Sequence, residues 1–371
     1  MITGVARLVL VGALLAPPTH EWFRQVRLDW LYLMSLAFAL SLFGVPIARA
    51  FAERVGALDR PAARKVHDVA TPLLGGAAVF AAFALTVLSN FNFSRELKGV
   101  AVGATIVVAV GVLDDLVDLP ARWKLAGQTV GAAAAMSWGV VLDTVPSWMP
   151  GVFWLNVALT VIWFLTVTNA IQFLDGMDGL AAGLGVLAGL FFGAAAFQTR
   201  QPFLMFLSAA LVGACLGFLP YNFRPGGASI FLGDSGASFI GFTLAGLAVM
   251  GDWADNDPLV SLLTPTLILA VPLFDIGFVG ILRIVKGKVS TFGEWLAYTG
   301  RDHIHHRFAD LGLTKTQSVL LIYLMAGTLG LSALLLKGAE RREAGLILAQ
   351  AACVLALIAI LEGVGRGRSR R

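Results

Sequence analysis

Apolar residues fill long, nearly uninterrupted segments along most of this chain, and short stretches between them carry the polar and charged residues. Each apolar segment has about 18 or more residues, the length that a helix needs to cross the hydrocarbon core of a bilayer. The pattern predicts an all-α polytopic membrane protein with eleven transmembrane helices, at about residues 28–48, 73–90, 99–118, 123–142, 153–173, 179–197, 203–220, 229–250, 259–282, 316–336 and 344–362.

The remaining segments predict a simple organisation. Residues 1–27 form an N-terminal extension, which we expect to lie along the membrane surface or to extend loosely. Residues 28–362 form a single transmembrane domain, and its longest polar stretch is a loop at 283–315 that contains histidines. Residues 363–371 form a basic tail.

Composition supports this prediction. Of the 371 residues, 58% are hydrophobic and only 13% are charged, and the mean hydropathy is +0.81. A soluble protein of this length needs far more charge to cover its surface. The net charge of +4 does not indicate nucleic-acid binding, because the cations are scattered over loops and no basic run is interleaved with aromatic residues.

The distribution of Lys and Arg predicts the orientation. One set of loops carries 18 of the 27 cations. Cytoplasmic loops are enriched in these residues, so we expect this set to be cytoplasmic, with the N-terminus outside and the C-terminus in the cytoplasm. The set consists of residues 49–72, 114–124, 221–228, 283–315 and 363–371.

Three carboxylates, Asp114, Asp115 and Asp118, close the third predicted span. Positions 114 and 118 share a helix face, and acids this close repel one another unless a cation compensates them. Such hard oxygen ligands suit Mg²⁺, especially where substrate phosphates complete its shell. A solvated acidic helix end would give the same pattern. Lys124 and Gln128, a few residues on, could hold a phosphate or balance the acids.

A second polar group runs from Asn169 through Gln172 and Asp175 to Asp178, and a glycine follows each aspartate. Glycine lets the backbone approach a ligand closely, and non-helical backbone at membrane depth is tolerated only around a site or cavity. An N-cap role for Asp175 would explain that one residue, but it would not explain the run.

A third group contains Asn222 and, after a short loop, Gly233-Asp234-Ser235-Gly236. Alone, it is also typical of a turn with a capping aspartate.

The fourth group is Asp302-His303-Ile304-His305-His306-Arg307, which holds three of the five histidines. Histidine and arginine together can grip phosphate or act in acid–base chemistry. An incidental surface patch is the alternative. Lys65 and His67 precede the second span and add further cationic groups.

All four groups lie on the predicted cytoplasmic side. Acids for Mg²⁺, cations for phosphates and glycines for close approach form the set that phosphoryl transfer requires. The membrane setting indicates that one substrate is a lipid. A transporter would place such residues nearer the bilayer midplane. An aromatic prenyltransferase would share the aspartates but not the histidines, and a non-catalytic scaffold would need neither.

Together these motifs resemble the polyprenyl-phosphate N-acetylhexosamine-1-phosphate transferases, glycosyltransferase family 4, over roughly residues 60 to 315 and in the same order. His303-x-His305-His306-Arg307 is similar to the loop of the WecA and TagO branch, which takes UDP-GlcNAc or its relatives. The related MraY branch carries consecutive histidines there and takes UDP-MurNAc-pentapeptide. Gln172 departs from the family, which has a second Asn at this position; Gln keeps the amide but adds a methylene.

The resemblance implies a reaction at the cytoplasmic face of a bacterial inner (plasma) membrane, dependent on Mg²⁺ or Mn²⁺. A phosphate oxygen of undecaprenyl phosphate would attack the sugar-bearing phosphorus of a UDP-sugar, and UMP would leave. The product would start a lipid-linked cell-envelope polysaccharide. Residues 28–362 would then form the catalytic domain. The resemblance also allows a homodimer.

It further implies roles for individual residues. Asp234, with Asp178 as its partner, would hold the metal, and Asp114 or Asp115 would orient or deprotonate the lipid phosphate. The residues expected to act in catalysis are Asp114, Asp115, Asp178, His305 and His306. The residues expected to bind substrate are Lys65, His67, Asp118, Lys124, Asn169, Gln172, Asp175, Asn222, His303 and Arg307.

Overall fold

Helices make up nearly all of the structure, a computed structural model that describes residues 3–59, 70–89, 94–253, 258–289 and 302–368. Within a bilayer each backbone N–H and C=O needs an internal partner, and a helix supplies these partners within one segment. The N-terminal half contains α1 (Gly4–Leu15), α2 (Pro17–Gln25), α3 (Asp29–Val55), α4 (Gly75–Leu88), α5 (Arg95–Val117), α6 (Ala121–Ser137) and α7 (Val152–Leu174). The C-terminal half contains α8 (Leu180–Gln198), α9 (Pro202–Asn222), α10 (Gly233–Met250), α11 (Pro258–Ile268), α12 (Ala270–Val285), α13 (Ile304–Asp310), α14 (Lys315–Leu336) and α15 (Arg341–Arg368).

The helices confirm a polytopic membrane protein. Among the described residues, eight helices are long and apolar enough to cross a membrane, and α11 with α12, bent by 82°, raises the number to nine. The predicted spans at 73–90 and 123–142 form the shorter helices α4 and α6, of 14 and 17 residues. The number eleven and the predicted orientation therefore remain predictions.

The N-terminal extension is helical rather than loose. Helix α1 packs against α3, where its Val11 and Leu14 join a buried cluster with Leu33 and Leu36. The guanidinium of Arg7 lies over the ring of Tyr221 near the end of α9, 5.6 Å from its centroid. The extension therefore forms part of the packed bundle.

Helix α10 lies at the centre of the bundle, and 83% of its residues are buried. It packs against α4, α5, α7 and α8. Glycines permit this packing. A Cβ at Gly76 of α4 would overlap the backbone of Gly236, and one at Gly111 of α5 would come within 2.5 Å of Ser235 Cα. Three helices therefore meet backbone to backbone at the start of α10, next to Asp234.

A small sheet closes the same end of the bundle. Strands β1 (Leu58–Asp59) and β2 (Thr71–Pro72) pair antiparallel, with Leu58 opposite Pro72. The loop before α10 continues this pairing, since Phe231 N donates to Pro72 O at 2.8 Å and Gly76 N donates to Leu232 O at 2.7 Å. The loop is thereby fixed between β2 and the start of α4.

Candidate active site

A cleft of about 900 Å³ opens at this end of the bundle, between the ends of α5, α7 and α9 and the starts of α6, α8 and α10. It brings together residues from all four polar groups in the sequence. The predicted site residues that line it are Asp114, Asp115, Asp118, Lys124, Gln172, Asp175, Asp178, Asn222, Asp234 and His306.

Lys124 joins two of the aspartates. Its Nζ lies 2.6 Å from Asp114 Oδ2 and 2.5 Å from Asp234 Oδ2. The other oxygen of Asp114 accepts a hydrogen bond from the backbone N–H of Leu119 at 2.7 Å, which fixes the turn between α5 and α6. Lys124 thus balances two acids from helices far apart in sequence, as its position suggested.

Asp115 holds the start of α10. Its Oδ1 accepts the backbone N–H of Asp234 at 2.8 Å, and its Oδ2 accepts the hydroxyl of Ser235 at 2.6 Å and the backbone N–H of the same serine at 3.3 Å. The first N–H groups of a helix have no intrahelical partner, and Asp115 supplies one from another helix. The carboxyl therefore sets the position of Asp234, a role that the sequence did not predict.

Asp234 itself does not cap a turn. Leu232 occupies the N-cap position of α10, and the Asp234 carboxylate faces Lys124 instead. The alternative that this aspartate only caps a local turn is therefore wrong.

A chain of side-chain amides supports Asp234 from behind. Asn169 Nδ2 donates to Gln128 Oε1 at 2.7 Å, and Gln128 Nε2 donates to Gln172 Oε1 at 2.9 Å. Gln172 in turn lies beside the Asp234 carboxylate. Gln128 is only 3% exposed, so it supports the site rather than contacting a phosphate. Asn169 acts through Gln128 and does not line the cleft.

The turn between α7 and α8 carries Asp175 and Asp178. Asp175 is the C-cap of α7, while Gly179, at φ +84°, occupies the N-cap of α8, so the N-cap interpretation of Asp175 is wrong. Asp178 Oδ2 accepts the N–H of Ala228 at 3.0 Å. Asn222 is buried, and its Oδ1 accepts the Gly179 N–H at 2.6 Å, so this amide braces the turn.

The acids of the cleft outnumber its cations. Burial raises the pKa of Asp175 well above its usual range, and the negative charges of Asp234, Asp115 and Asp178 raise it further. This excess of negative charge is what a bound cation would relieve. Among the described residues, no three His, Cys, Asp or Glu side chains are grouped to hold a metal. Mg²⁺ fits nevertheless, because it takes one or two carboxylates and completes its shell with water and substrate phosphates.

The histidine group is split by the fold. His306 lines the cleft, whereas His305 is 1% exposed and packs against Gly176, where a Cβ would overlap its Nε2. His303 is buried and stacks on Phe173, with ring centroids 5.0 Å apart. Arg307 pairs with Asp310 at 3.2 Å. Of the four predicted basic residues, one therefore reaches the cleft wall.

Two further charged residues, Asp59 and Lys315, also line the cleft and were not predicted as site residues. Lys315 begins α14 directly after the capping box of Thr314 and Gln317, so its sequence context indicated only a helix start. Asp59 ends β1, and a two-residue strand leaves no recognisable pattern. Lys65 and His67 lie outside the described residues.

Comparison with known proteins gives consistent matches. The model of the family "Glycosyl transferase family 4" matches residues 97–252. The chain is 35% identical to a protein of Bacillus subtilis (strain 168) over 85% of this chain and 87% of that protein, named "Probable undecaprenyl-phosphate N-acetylglucosaminyl 1-phosphate transferase". It is 32% identical to "Decaprenyl-phosphate N-acetylglucosaminephosphotransferase" of Mycobacterium leprae (strain TN), over 80% and 79% of the two chains. It is 29% identical to "Undecaprenyl-phosphate alpha-N-acetylglucosaminyl 1-phosphate transferase" of Escherichia coli (strain K12), over 80% and 81%.

Proposed function

Because this chain belongs to glycosyl transferase family 4, we propose that it transfers N-acetylglucosamine-1-phosphate from UDP-N-acetylglucosamine to undecaprenyl phosphate, with release of UMP. The observation that carries the proposal is the acidic cleft at the ends of membrane helices, where Asp114, Lys124 and Asp234 converge. A cleft at the ends of membrane helices admits a lipid phosphate from the membrane and a nucleotide from water. The names of the relatives support the sugar and the polyprenyl acceptor.

The reaction exchanges one phosphoanhydride bond for another. An oxygen of the lipid phosphate attacks the sugar-bearing phosphorus of the UDP-sugar, and the bond from that phosphorus to the bridging oxygen breaks. UMP leaves with this oxygen, and polyprenyl-diphospho-sugar remains. Transfer of this kind depends on positioning and on neutralising charge rather than on covalent catalysis by the protein.

Asp234 and Asp178 would hold Mg²⁺, which when bound would neutralise charge on the diphosphate and make UMP a better leaving group. Asp234 suits this role because Asp115 fixes its backbone and Lys124 binds its carboxylate. Gln172 lies beside that carboxylate. Asp178 is fixed by the Ala228 N–H and keeps an oxygen at the cleft.

Asp114 and Lys124 would receive the lipid phosphate. A phosphate monoester is largely ionised near neutral pH, with a second pKa of about 6, so the attacking oxygen needs orientation more than deprotonation. Lys124 supplies positive charge beside it, and Asp114 holds Lys124 in place. Asp115 engages α10 through both oxygens, whereas Asp114 bonds to Lys124, which would lie beside the phosphate. Asp114 is therefore the stronger candidate of the two for contact with the lipid phosphate.

We place the cleft on the cytoplasmic face of a bacterial inner membrane. The loops at the cleft end of the helices belong to the set that carries 18 of the 27 cations, and such loops remain in the cytoplasm. UDP-sugars are made on that side, which agrees with the proposed donor.

The test is UMP release by the purified protein in detergent, with Mg²⁺, undecaprenyl phosphate and UDP-N-acetylglucosamine. An EDTA control and a panel of other UDP-sugars, including UDP-MurNAc-pentapeptide, complete the assay. Release that requires both metal and lipid is expected, with UDP-N-acetylglucosamine preferred. Preference for UDP-MurNAc-pentapeptide would show that this nucleotide, and not UDP-N-acetylglucosamine, is the donor. No release from any donor would overturn the proposal and favour transport.

A further inference from the structure

Behind the histidine helix α13 lies a buried group of charged residues that the proposed chemistry does not use. Asp275 and Arg283 come from α12, and Asp302 and His303 come from the segment that leads into α13. All four are at most 7% exposed. We call these four residues the ionic cluster. Charged side chains are rarely buried to this degree unless they are paired.

Asp275 holds two consecutive residues at the start of α13. Its Oδ2 lies 2.7 Å from His303 Nδ1, and its Oδ1 accepts the backbone N–H of Ile304 at 2.8 Å. One carboxylate therefore fixes both the ring of His303 and the backbone where the helix begins. Asp275 lies in the middle of an apolar segment of the sequence, where ionisable residues are costly and usually have a role.

Arg283 completes the arrangement. Its Nε and Nη2 donate to the two oxygens of Asp302 at 3.0 and 2.7 Å, and Nη2 also lies 3.4 Å from His303 Nε2. A guanidinium can only donate, so His303 Nε2 takes the acceptor role and Nδ1 carries the proton that is directed at Asp275. The two neighbours thus select one tautomer and one orientation of the His303 ring.

The segment from His303 to His306 connects the ionic cluster to the cleft through direct contacts. The ring of His303 stacks on Phe173, two residues before Asp175. His305, two residues further, packs against Gly176, which lies between the cleft aspartates Asp175 and Asp178 in the turn. The rings of His305 and His306 lie 4.2 Å apart, and His306 lines the cleft.

We propose that Asp275 is a positioning residue for the transfer reaction, acting through His303 to seat α13 against the turn that carries Asp175 and Asp178. This inference rests on the proposed function. Loss of the Asp275 carboxylate should loosen His303 and Ile304, shift His305 away from Gly176 and displace His306 from the cleft. Misplacement by about 1 Å is enough to lower a rate by as much as roughly a hundredfold.

The first experiment compares steady-state kinetics of the wild type and Asp275→Asn. Asn keeps the size of the side chain but has only one oxygen, so it can serve His303 or Ile304 but not both. Glu53→Gln is the matched control, because Glu53 also pairs with a basic side chain, that of Arg49, but is about half exposed. We expect kcat/KM for the UDP-sugar to fall about 10–100-fold in Asp275→Asn, with KM for the polyprenyl phosphate within about twofold of the wild type. Glu53→Gln should match the wild type.

A second variant separates positioning from loss of fold. His303→Gln and the double variant Asp275→Asn/His303→Gln complete a cycle, and the double variant should lose little more than either single variant if Asp275 acts through His303. Losses that multiply, or wild-type kinetics in Asp275→Asn, would overturn the inference. If Asp275→Asn does not accumulate in the membrane, Asp275→Glu with His303→Gln provides the same comparison.

A readout that does not need turnover keeps this inference distinct from the proposed function. Nitrogen NMR of ¹⁵N-histidine-labelled protein in detergent should place His303 in the Nδ1–H form in the wild type. In Asp275→Asn the His303 signal and those of His305 and His306 should move. If the wild type releases no UMP but Asp275→Asn still shifts these signals, the proposed function fails while the seating of α13 by Asp275 stands. Unchanged His305 and His306 signals would reject the inference in an active enzyme.

Discussion

The cleft and the ionic cluster are both groups of charged residues at one end of the helix bundle, yet they are built in opposite ways. In the cleft, Asp115, Asp175, Asp178 and Asp234 are partly open to solvent, whereas Asp114 is only 7% exposed. Lys124 is shared between Asp114 and Asp234. In the ionic cluster, Asp275 and Asp302 each face a basic partner, and all members are buried.

This difference separates a binding site from a structural support. Where acids exceed cations beside an opening, burial raises the pKa of Asp175, and the negative charges of the neighbouring acids raise it further. Where each carboxylate has its own hydrogen-bond donors and the group is closed off from water, the side chains specify one geometry and have no capacity left for a ligand. Changes in the cleft should therefore lower turnover with little effect on stability, whereas changes in the cluster should lower stability as well.

The largest expected effect is that of Asp234→Ala. We expect turnover to fall roughly a thousandfold, because this carboxylate lies where the metal and both phosphates would meet. The thermal midpoint in detergent should change little, since Lys124 keeps Asp114 as a partner. UMP release and melting are measured on the same preparation. A rate within tenfold of the wild type would remove Asp234 from the metal site.

The next effect is on stability, in Asp302→Asn. The change removes the charge of the carboxylate that the buried Arg283 binds, and breaking one side of a buried pair costs about 3 kcal/mol or more. Chemical denaturation in detergent measures the loss. The exposed pair of Arg49 and Glu53 provides the control, because Glu53→Gln should cost less than about 1 kcal/mol. Equal costs in both variants would contradict the distinction drawn between buried and exposed pairs.

The same pair predicts a dependence on pH. Burial disfavours the charged form of Asp302, but the hydrogen bonds and charge of Arg283 outweigh it and hold the pKa of Asp302 below its usual range. A group whose pKa is lowered on folding stabilises the protein fully above its unfolded pKa, about 3.9, and this contribution is lost as pH falls through the folded value. Thermal midpoints of the wild type should therefore decline below about pH 4, and Asp302→Asn should lack this part of the decline.

A smaller effect is expected from Gly176→Ala, which tests the contact between the two regions. The added Cβ would overlap His305 Nε2, so either the histidine helix or the Asp175–Asp178 turn must move. We expect turnover to fall about 10–100-fold with little loss of stability. Gly327→Ala is the control, since a Cβ there meets nothing within 4 Å. Wild-type turnover in Gly176→Ala would show that the contact does not matter for the cleft.

The smallest effect is expected from Gln172→Asn, which restores the residue that is usual in the family. The shorter side chain cannot both bond to Gln128 and stay beside the Asp234 carboxylate, as Gln172 does in the structure. We expect kcat to fall about tenfold, with the same preferred UDP-sugar. A change of donor preference instead would show that Gln172 contacts the donor rather than supporting Asp234.

Several features could be predicted from local sequence, and others could not. The helices follow from apolar segments, and Asp114, Lys124, Asp178, Asp234 and His306 were identified by residue type and spacing and do line the cleft. His303 and Arg307 belong to the same motif but face other partners, because the start of a helix sends neighbouring side chains in different directions. Asp275 was missed, since a single acid in an apolar segment has no spacing to mark it.

The sequence by itself determined that this is a polytopic membrane protein and which residue types carry its chemistry, because a bilayer imposes length and polarity on each segment. Only the tertiary structure decided which side chains hold one another in place. Asp115 meets the start of α10 across 119 positions, Gln128 meets Gln172 across 44, and Asp275 meets His303 across 28. Such pairings depend on how helices pack against one another, and the local pattern of a helix encodes its apolar face but not the neighbour that will cover it.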